Sequence, residues 1–347
     1  MAIVFIGSYT EMIAPGFGGK GIGISTLELN DKTGDLKLLH SCKTLNPGYL
    51  AISDDKQFLY TFTEVIQEKK PKVKAFKIKD DYSLEFINEH PVSGSLPCHI
   101  ESINNTVFIS CYGTGNVLRY TTDSQGKLVE ETHNFKHKGS SINEERQEAP
   151  HAHQVAIHPN KKLIFIPDLG IDKVKTYALK DENFKPIKEL DIDTNLGFGP
   201  RHIVFNKDGD LGYLISELTG EISILKNENS VFKPIENVNS LPKYFTKNPS
   251  ASAIRIHPNN KFLYAGNRTI DAITIFKIIA DSLELVDHQF TEGKTLREFN
   301  ISKDGNWLIA CLQDSDETIV YRINSDGKLS EKQRTKEIKS GVCAIFL

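Results

Sequence analysis

Ala51-Ile-Ser-Asp-Asp-Lys-Gln-Phe-Leu-Tyr-Thr61, Ala156-Ile-His-Pro-Asn-Lys-Lys-Leu-Ile-Phe-Ile166 and Arg255-Ile-His-Pro-Asn-Asn-Lys-Phe-Leu-Tyr-Ala265 share one internal phase. Each is a short apolar run, a polar turn and a second apolar run, the pattern of a β-hairpin. Weaker copies begin at Val204 (VFNKDGDLGYLI) and Asn300 (NISKDGNWLIAC), and a degraded one near Glu101 (ESINNTVFISC) fills the remaining gap. Units therefore start near Asn46, Pro97, Pro150, Gly199, Ser250 and Thr295, about 45 to 53 residues apart, and no such unit buries its apolar face alone.

At about 50 residues per unit, a chain of 347 holds roughly seven, within the range of closed radial arrays of four-stranded sheets. The sequence predicts an all-β fold, a seven-bladed β-propeller forming one domain over residues 1–347. Ile3-Val-Phe-Ile-Gly-Ser-Tyr-Thr10 reads as a second strand lacking its first, and Gly341-Val-Cys-Ala-Ile-Phe-Leu347 as a first strand lacking its second. Pairing the two ends closes the ring and removes the strand edges an open array would expose. Ile22-Gly-Ile-Ser-Thr-Leu-Glu-Leu29 supplies an outer strand, and Thr33-Gly-Asp-Leu36, Gln125-Gly-Lys-Leu128 and Ser325-Asp-Gly-Lys-Leu329 supply tight outer turns. No long helix is expected. The polar stretches 134–150 and 236–249 are expected to be loops leaning over one end of the ring.

A formal net charge of −3 gives no bulk excess of Lys or Arg, so electrostatics do not point to a nucleic-acid partner. The start, Met1 to Thr10, has no basic region and only a short apolar run before Gly7, unlike a signal-peptide core or a spanning helix. A cytoplasmic location without membrane association is expected. Cys42, Cys98, Cys111, Cys311 and Cys343 are odd in number and lack metal or redox spacing, which suits free buried thiols in a reducing compartment.

Polar landmarks fall at fixed places in the repeat. Just before first strands stand Asn46-Pro47, Pro97-Cys98-His99, Pro150-His151-Ala152-His153, Gly199-Pro200-Arg201-His202 and Leu296-Arg297; just after second strands stand Glu64, Tyr112, Asp168, Glu217, Arg268 and Gln313. In an antiparallel pair the start of one strand and the end of the other share one end of the sheet. All these groups are expected at a single mouth. Arg, His and Glu in a concave mouth suit a small anionic ligand, because guanidinium is a rigid two-pronged donor to carboxylate or phosphate and stabilises a developing oxyanion. His or Glu beside a water is a general base.

At these residues the sequence resembles a known family, the 6-phosphogluconolactonase and muconate-cycloisomerase-like seven-bladed propellers, nearly end to end. The motifs are Gly7-Ser-Tyr-Thr, Asn46-Pro-Gly-Tyr-Leu, Arg146-Gln-Glu-Ala-Pro-His-Ala-His, Asp168-Leu-Gly-Ile-Asp-Lys-Val, Gly197-Phe-Gly-Pro-Arg-His, Glu217-Leu, Phe262-Leu-Tyr-Ala-Gly-Asn-Arg and Asp304-Gly. The resemblance implies opening of 6-phosphoglucono-δ-lactone to 6-phosphogluconate in the oxidative pentose phosphate pathway, without a metal or organic cofactor. It implies a catalytic set of His153, Arg201, Glu217 and Arg268, with Arg201 and Arg268 gripping phosphate or polarising the carbonyl and Glu217 or His153 deprotonating water. His99, Tyr112, Arg146, Gln147, His151, Asp168, His202, Arg297 and Gln313 are the expected substrate-binding residues for a small anionic sugar lactone. The chain departs from the family pattern at Cys111, Thr63 and Thr295-Leu296, none of them in the catalytic set.

Other roles exist for the same residues. His151 could replace His153, since alternation puts both on one face of an extended segment. Both could instead bond loop backbones at the channel mouth, and a His-x-His pair also suits zinc, though no further ligands stand out. Arg201 and Arg268 could brace blades through Asp168 or Glu217. His158-Pro159 and His257-Pro258 sit in inter-strand turns at the opposite end and read as turn chemistry. A cycloisomerase running similar chemistry in reverse and a non-catalytic scaffold are the competing functions; a scaffold would place aromatic and apolar groups at the mouth.

Overall fold

In the computed structural model, which describes residues 1–180, 183–229 and 231–347, six four-stranded sheets and one with an added fifth strand form the blades. Strands follow one another in sequence order from the channel outward, as in Pro97–Ile103, Thr106–Cys111, Asn116–Thr122 and Leu128–Lys136. The closing blade joins the chain's two ends as expected. Gly341–Phe346 is its inner strand, paired antiparallel to Ala2–Ser8 with Val4 opposite Phe346 and Ile6 opposite Ala344. Among the described residues the only helical segments are 3-10 turns at Gln67–Lys69, Leu169–Ile171 and Lys188–Leu190.

Composition dictates each strand's place. Second strands such as Phe58–Phe62, Leu211–Ser216 and Trp307–Leu312 are buried along their whole length, because neighbouring blades cover both faces. Outermost strands such as Leu84–Pro91 and Val231–Asn239 are largely exposed and correspondingly polar. This corrects two expected boundaries. Residues 134–136 and 236–239 are strand, with Lys136 paired to Asn116 and Asn239 to Glu221, so the loops begin only after them.

Turns lock each blade to the next. The Gly126 turn receives Phe58, and Tyr60 Oη donates to Gly126 O at 3.2 Å. Gly327 meets Phe262 and Tyr264 in the same way, with Tyr264 Oη to Gly327 O at 2.8 Å, and Trp307 Nε1 donates to Asp31 O at 2.9 Å beside Gly34. At the same end His158 Nε2 lies 2.9 Å from Gly209 O and His257 Nε2 lies 2.8 Å from Gly305 O. Both glycines have φ near +72°, and a Cβ at either would meet the imidazole at about 2.5 Å. These histidines are turn chemistry, as their positions suggested.

Candidate active site

At the opposite end the inner strands break register. Pro97 faces Cys111 but His99 faces Ser110; Pro200 faces Ser216 but His202 faces Ile215; Leu296 faces Leu312 but Glu298 faces Cys311; Gly341 faces Ser8 but Cys343 faces Gly7. One extra residue per strand is a β-bulge, which re-aims that side chain. The extra residues are Cys98, Arg201, Arg297 and Val342, and all four line one small axial cavity with Gly48, Glu64 and His153. Repeated bulging turns what would be wall residues toward the axis.

Glu217 is the hub. It follows Leu211–Ser216 and its carboxylate meets Arg146 Nη2 at 2.6 Å, Arg201 Nε at 2.9 Å, Arg268 Nη2 at 2.9 Å and His153 Nε2 at 3.6 Å. Arg201 also donates Nη1 to Ser252 O, and Arg268 donates Nη2 to Ala251 O at 3.1 Å, so the inner strand Ala251–Ile256 fixes both guanidiniums. Both arginines pair with Glu217 and not with Asp168. Burial alone would raise the Glu217 carboxyl; Arg268, the His153 contact and Arg201 outweigh it and hold it well below the usual carboxylate range. Burial, seconded by Arg201, drops His153 to about 4, so its imidazole is neutral. Burial likewise lowers Arg268 to about 10, still cationic at pH 7.

Around the hub, Arg146 arrives on the loop after Leu128–Lys136 and shares Nη2 with Tyr112 Oη at 3.2 Å. The Tyr112 ring stacks on His151 at 4.3 Å and meets His153 edge-on at 5.5 Å. His151 Nδ1 is spent on Tyr112 O at 2.8 Å, so of the two histidines His153 is the one beside Glu217. His153, His202 and His99 meet edge to face along the channel with centroids 5.4 and 5.6 Å apart, ending on Tyr49. On the far side, Arg297 donates to Tyr9 Oη at 2.9 Å, and Tyr9 Oη donates to Glu64 Oε2 at 2.9 Å.

Three expected binding residues turn into the wall. Asp168 accepts from His151 N at 2.7 Å and Gly170 N at 3.0 Å and meets His137 Nδ1 at 2.5 Å. Gln147 donates to Leu169 O at 2.8 Å and Asp172 Oδ1 at 2.7 Å, pinning the loop that carries Arg146. Gln313 donates to Gly18 O at 3.1 Å. Sequence reasoning missed Tyr9, whose signal was its place just past the second strand of the closing blade, and the deeper Arg255, which reaches Tyr49 Oη and Glu298 Oε1 at 2.9 Å each. Among the described residues no three His, Cys, Asp or Glu side chains form a metal-ligand cluster.

Four guanidiniums, Arg146, Arg201, Arg268 and Arg297, thus face two carboxylates, Glu217 and Glu64. The mouth carries excess positive charge although the chain as a whole is negative. A larger cavity of about 470 Å³ opens at the other end of the channel, walled by Ile52, Ile157, Phe205, Ile256 and Phe346. Its one arginine, Arg255, is already balanced by Glu298, so it lacks the unbalanced cations that an anion needs.

The family model described as Lactonase, 7-bladed beta-propeller matches residues 3–346, and the chain belongs to this family. It is 30% identical to a Bacillus subtilis protein named 6-phosphogluconolactonase, over 99% of this chain and 98% of that one. An uncharacterised Staphylococcus epidermidis protein is 31% identical over the full length of both chains. A solved structure described as a putative 6-phosphogluconolactonase from Bacteroides fragilis superposes with a TM-score of 0.92 at 27% identity, covering 100% of this chain and 98% of that one. The chain is therefore a member of a lactone-hydrolysing propeller family. Among the described residues no helix is long and apolar enough to cross a membrane.

Proposed function

We propose that the protein opens 6-phosphoglucono-δ-lactone to 6-phosphogluconate at the arginine-lined mouth, a step of the oxidative pentose phosphate pathway. The observation that carries this is the excess of guanidinium over carboxylate around Glu217 and Glu64. Substrate, product and the tetrahedral intermediate between them are all anionic. Arg201 and Arg268, held on backbone carbonyls, stabilise the oxyanion that forms when water adds to the lactone carbonyl, and preorganised donors of this kind contribute about 100- to 1,000-fold each. Arg146 and Tyr112, on the loop side, and Arg297, across the axis, are positioned to take the phosphate. Glu217 orients the guanidiniums and His153. Both are poorly matched to accept water's proton: Glu217 is a weak base inside its cage, and His153 is disfavoured as a cation.

The test is the rate of 6-phosphogluconolactone hydrolysis above the spontaneous rate, with and without a chelator. The expected result is acceleration that a chelator leaves unchanged and that Arg201→Ala and Arg268→Ala each lower about 100- to 1,000-fold. No acceleration by the wild type, or folded alanine variants at His153, Arg201, Glu217 and Arg268 that all keep its rate, would overturn the assignment.

A further inference from the structure

We propose that Glu64 is the general base of the reaction, taking the proton from the attacking water, with Tyr9 and Arg297 as its positioning residues. This rests on the lactone-opening function proposed above and assigns the proton acceptor that the Glu217 cluster lacks.

Glu64 lies just past Phe58–Phe62, across the axis from Glu217, and is 4% exposed. Its surroundings differ from those of Glu217 in kind. Among the described residues no Lys, Arg or His lies within ion-pair distance of it, and Oε2 accepts only from Tyr9 Oη at 2.9 Å while no donor reaches Oε1. Arg297 touches Tyr9 Oη, not the carboxylate, and stacks 5.6 Å from the Tyr9 ring centre and 5.2 Å from that of Phe17. Gly48, at the position where other blades carry Cys98, Arg201 and Arg297, leaves the space the carboxylate fills; a Cβ there would overlap Glu64 Oε2.

The cavity bounded by Gly48, Glu64, Cys98, His153, Arg201 and Arg297 measures about 20 Å³, room for one water. The other titratable groups lining it are Tyr49, Cys98, His153, Arg201, His202, Arg297 and Glu298, with Tyr9 bonded to Glu64 from behind. Burial keeps the Cys98 thiol and the Tyr9 and Tyr49 phenols protonated and His153 and His202 neutral, and it raises the Glu298 carboxyl, which is tied up with Arg255 at 2.9 Å; Arg201 and Arg297 stay cationic. Burial outweighs Arg297, Tyr9 and Arg201 and lifts Glu64 to about 7, while Glu217 is driven the other way. Two carboxylates set apart by their environments are the usual sign of divided roles, and a base poised near neutral pH is the efficient one.

In the step proposed, Glu64 removes one proton as the water oxygen bonds to the carbonyl carbon. The oxyanion forms against Arg201 and Arg268. It collapses by breaking the ring C–O bond, and the leaving alkoxide takes the proton back from Glu64. Lactone and water give the open hydroxy acid, which ionises to solvent.

Glu64→Gln keeps the shape and removes the base. The expected result is a fall in kcat of about 100-fold or more, binding of 6-phosphogluconate by calorimetry within about twofold of wild type, and loss of the acid limb of kcat/KM centred near pH 7. Tyr9→Phe, which removes the hydrogen bond favouring the ionised form, moves that limb to higher pH and serves alone if the glutamine variant does not fold. An active wild type whose Glu64→Gln variant keeps its rate and its acid limb, or whose limb does not move in Tyr9→Phe, overturns the base. A wild type that accelerates no lactone instead overturns the function itself, and the base with it.

Discussion

The two ends of the channel are built from the same repeat and use it in opposite ways. At the turn end the inner strand pairs stay in register and His158 and His257 are consumed by carbonyls of the neighbouring blade. At the mouth the register slips in five blades, and the side chains freed at Cys98, Arg201, Arg297 and Val342 crowd the axis. Regular pairing yields stability, and interrupted pairing yields a site. Residue type alone does not distinguish the ends, since buried histidines occur at both.

Substitutions separate the ends most sharply at Glu217. Glu217→Ala strands three guanidiniums and should cost about 3–5 kcal/mol of unfolding free energy in urea titration as well as activity. Because the folded carboxyl is held below its unfolded value, its contribution is complete above the unfolded value of about 4.5 and is lost as pH falls through the folded one. The gap between wild type and variant should therefore narrow at strongly acid pH. A gap that widens there would break the comparison. Arg268→Ala should lower kcat about 100- to 1,000-fold in the lactone assay while leaving the ring folded, since Glu217 keeps Arg201 and Arg146.

At the turn end the effects reverse. His257→Ala leaves Gly305 O without its donor and should cost about 1–2 kcal/mol with lactone hydrolysis unchanged; a drop in kcat there would erase the division between ends. Smallest of all, Lys233→Ala at the exposed pair with Glu228 should shift stability by less than about 0.5 kcal/mol.

Much of this was legible in the sequence. Hairpin copies at Ala51, Ala156 and Arg255 imposed the blade count, and the half-units at Ile3 and Gly341 imposed ring closure. Antiparallel pairing placed Arg201, Glu217 and Arg268 at one end. Outer-strand boundaries were lost because residues such as Asn134 and Glu236 lie on exposed edge strands, whose polar composition matches that of a loop. The bulges were invisible because a register slip is a property of two strands together. Arg297 meets Tyr9 only because the ring closes between them, and Asp168 was indistinguishable from a mouth residue until its three internal partners were seen.

The most direct measurement is a crystal structure of the protein soaked with 6-phosphogluconate. The product should sit at the mouth, with anionic oxygens on Arg201, Arg268 and Arg146 and its carboxylate carbon above the Glu64 cavity. Product bound instead in the Ile157–Phe205 cavity at the turn end, with the mouth unchanged, would contradict the account.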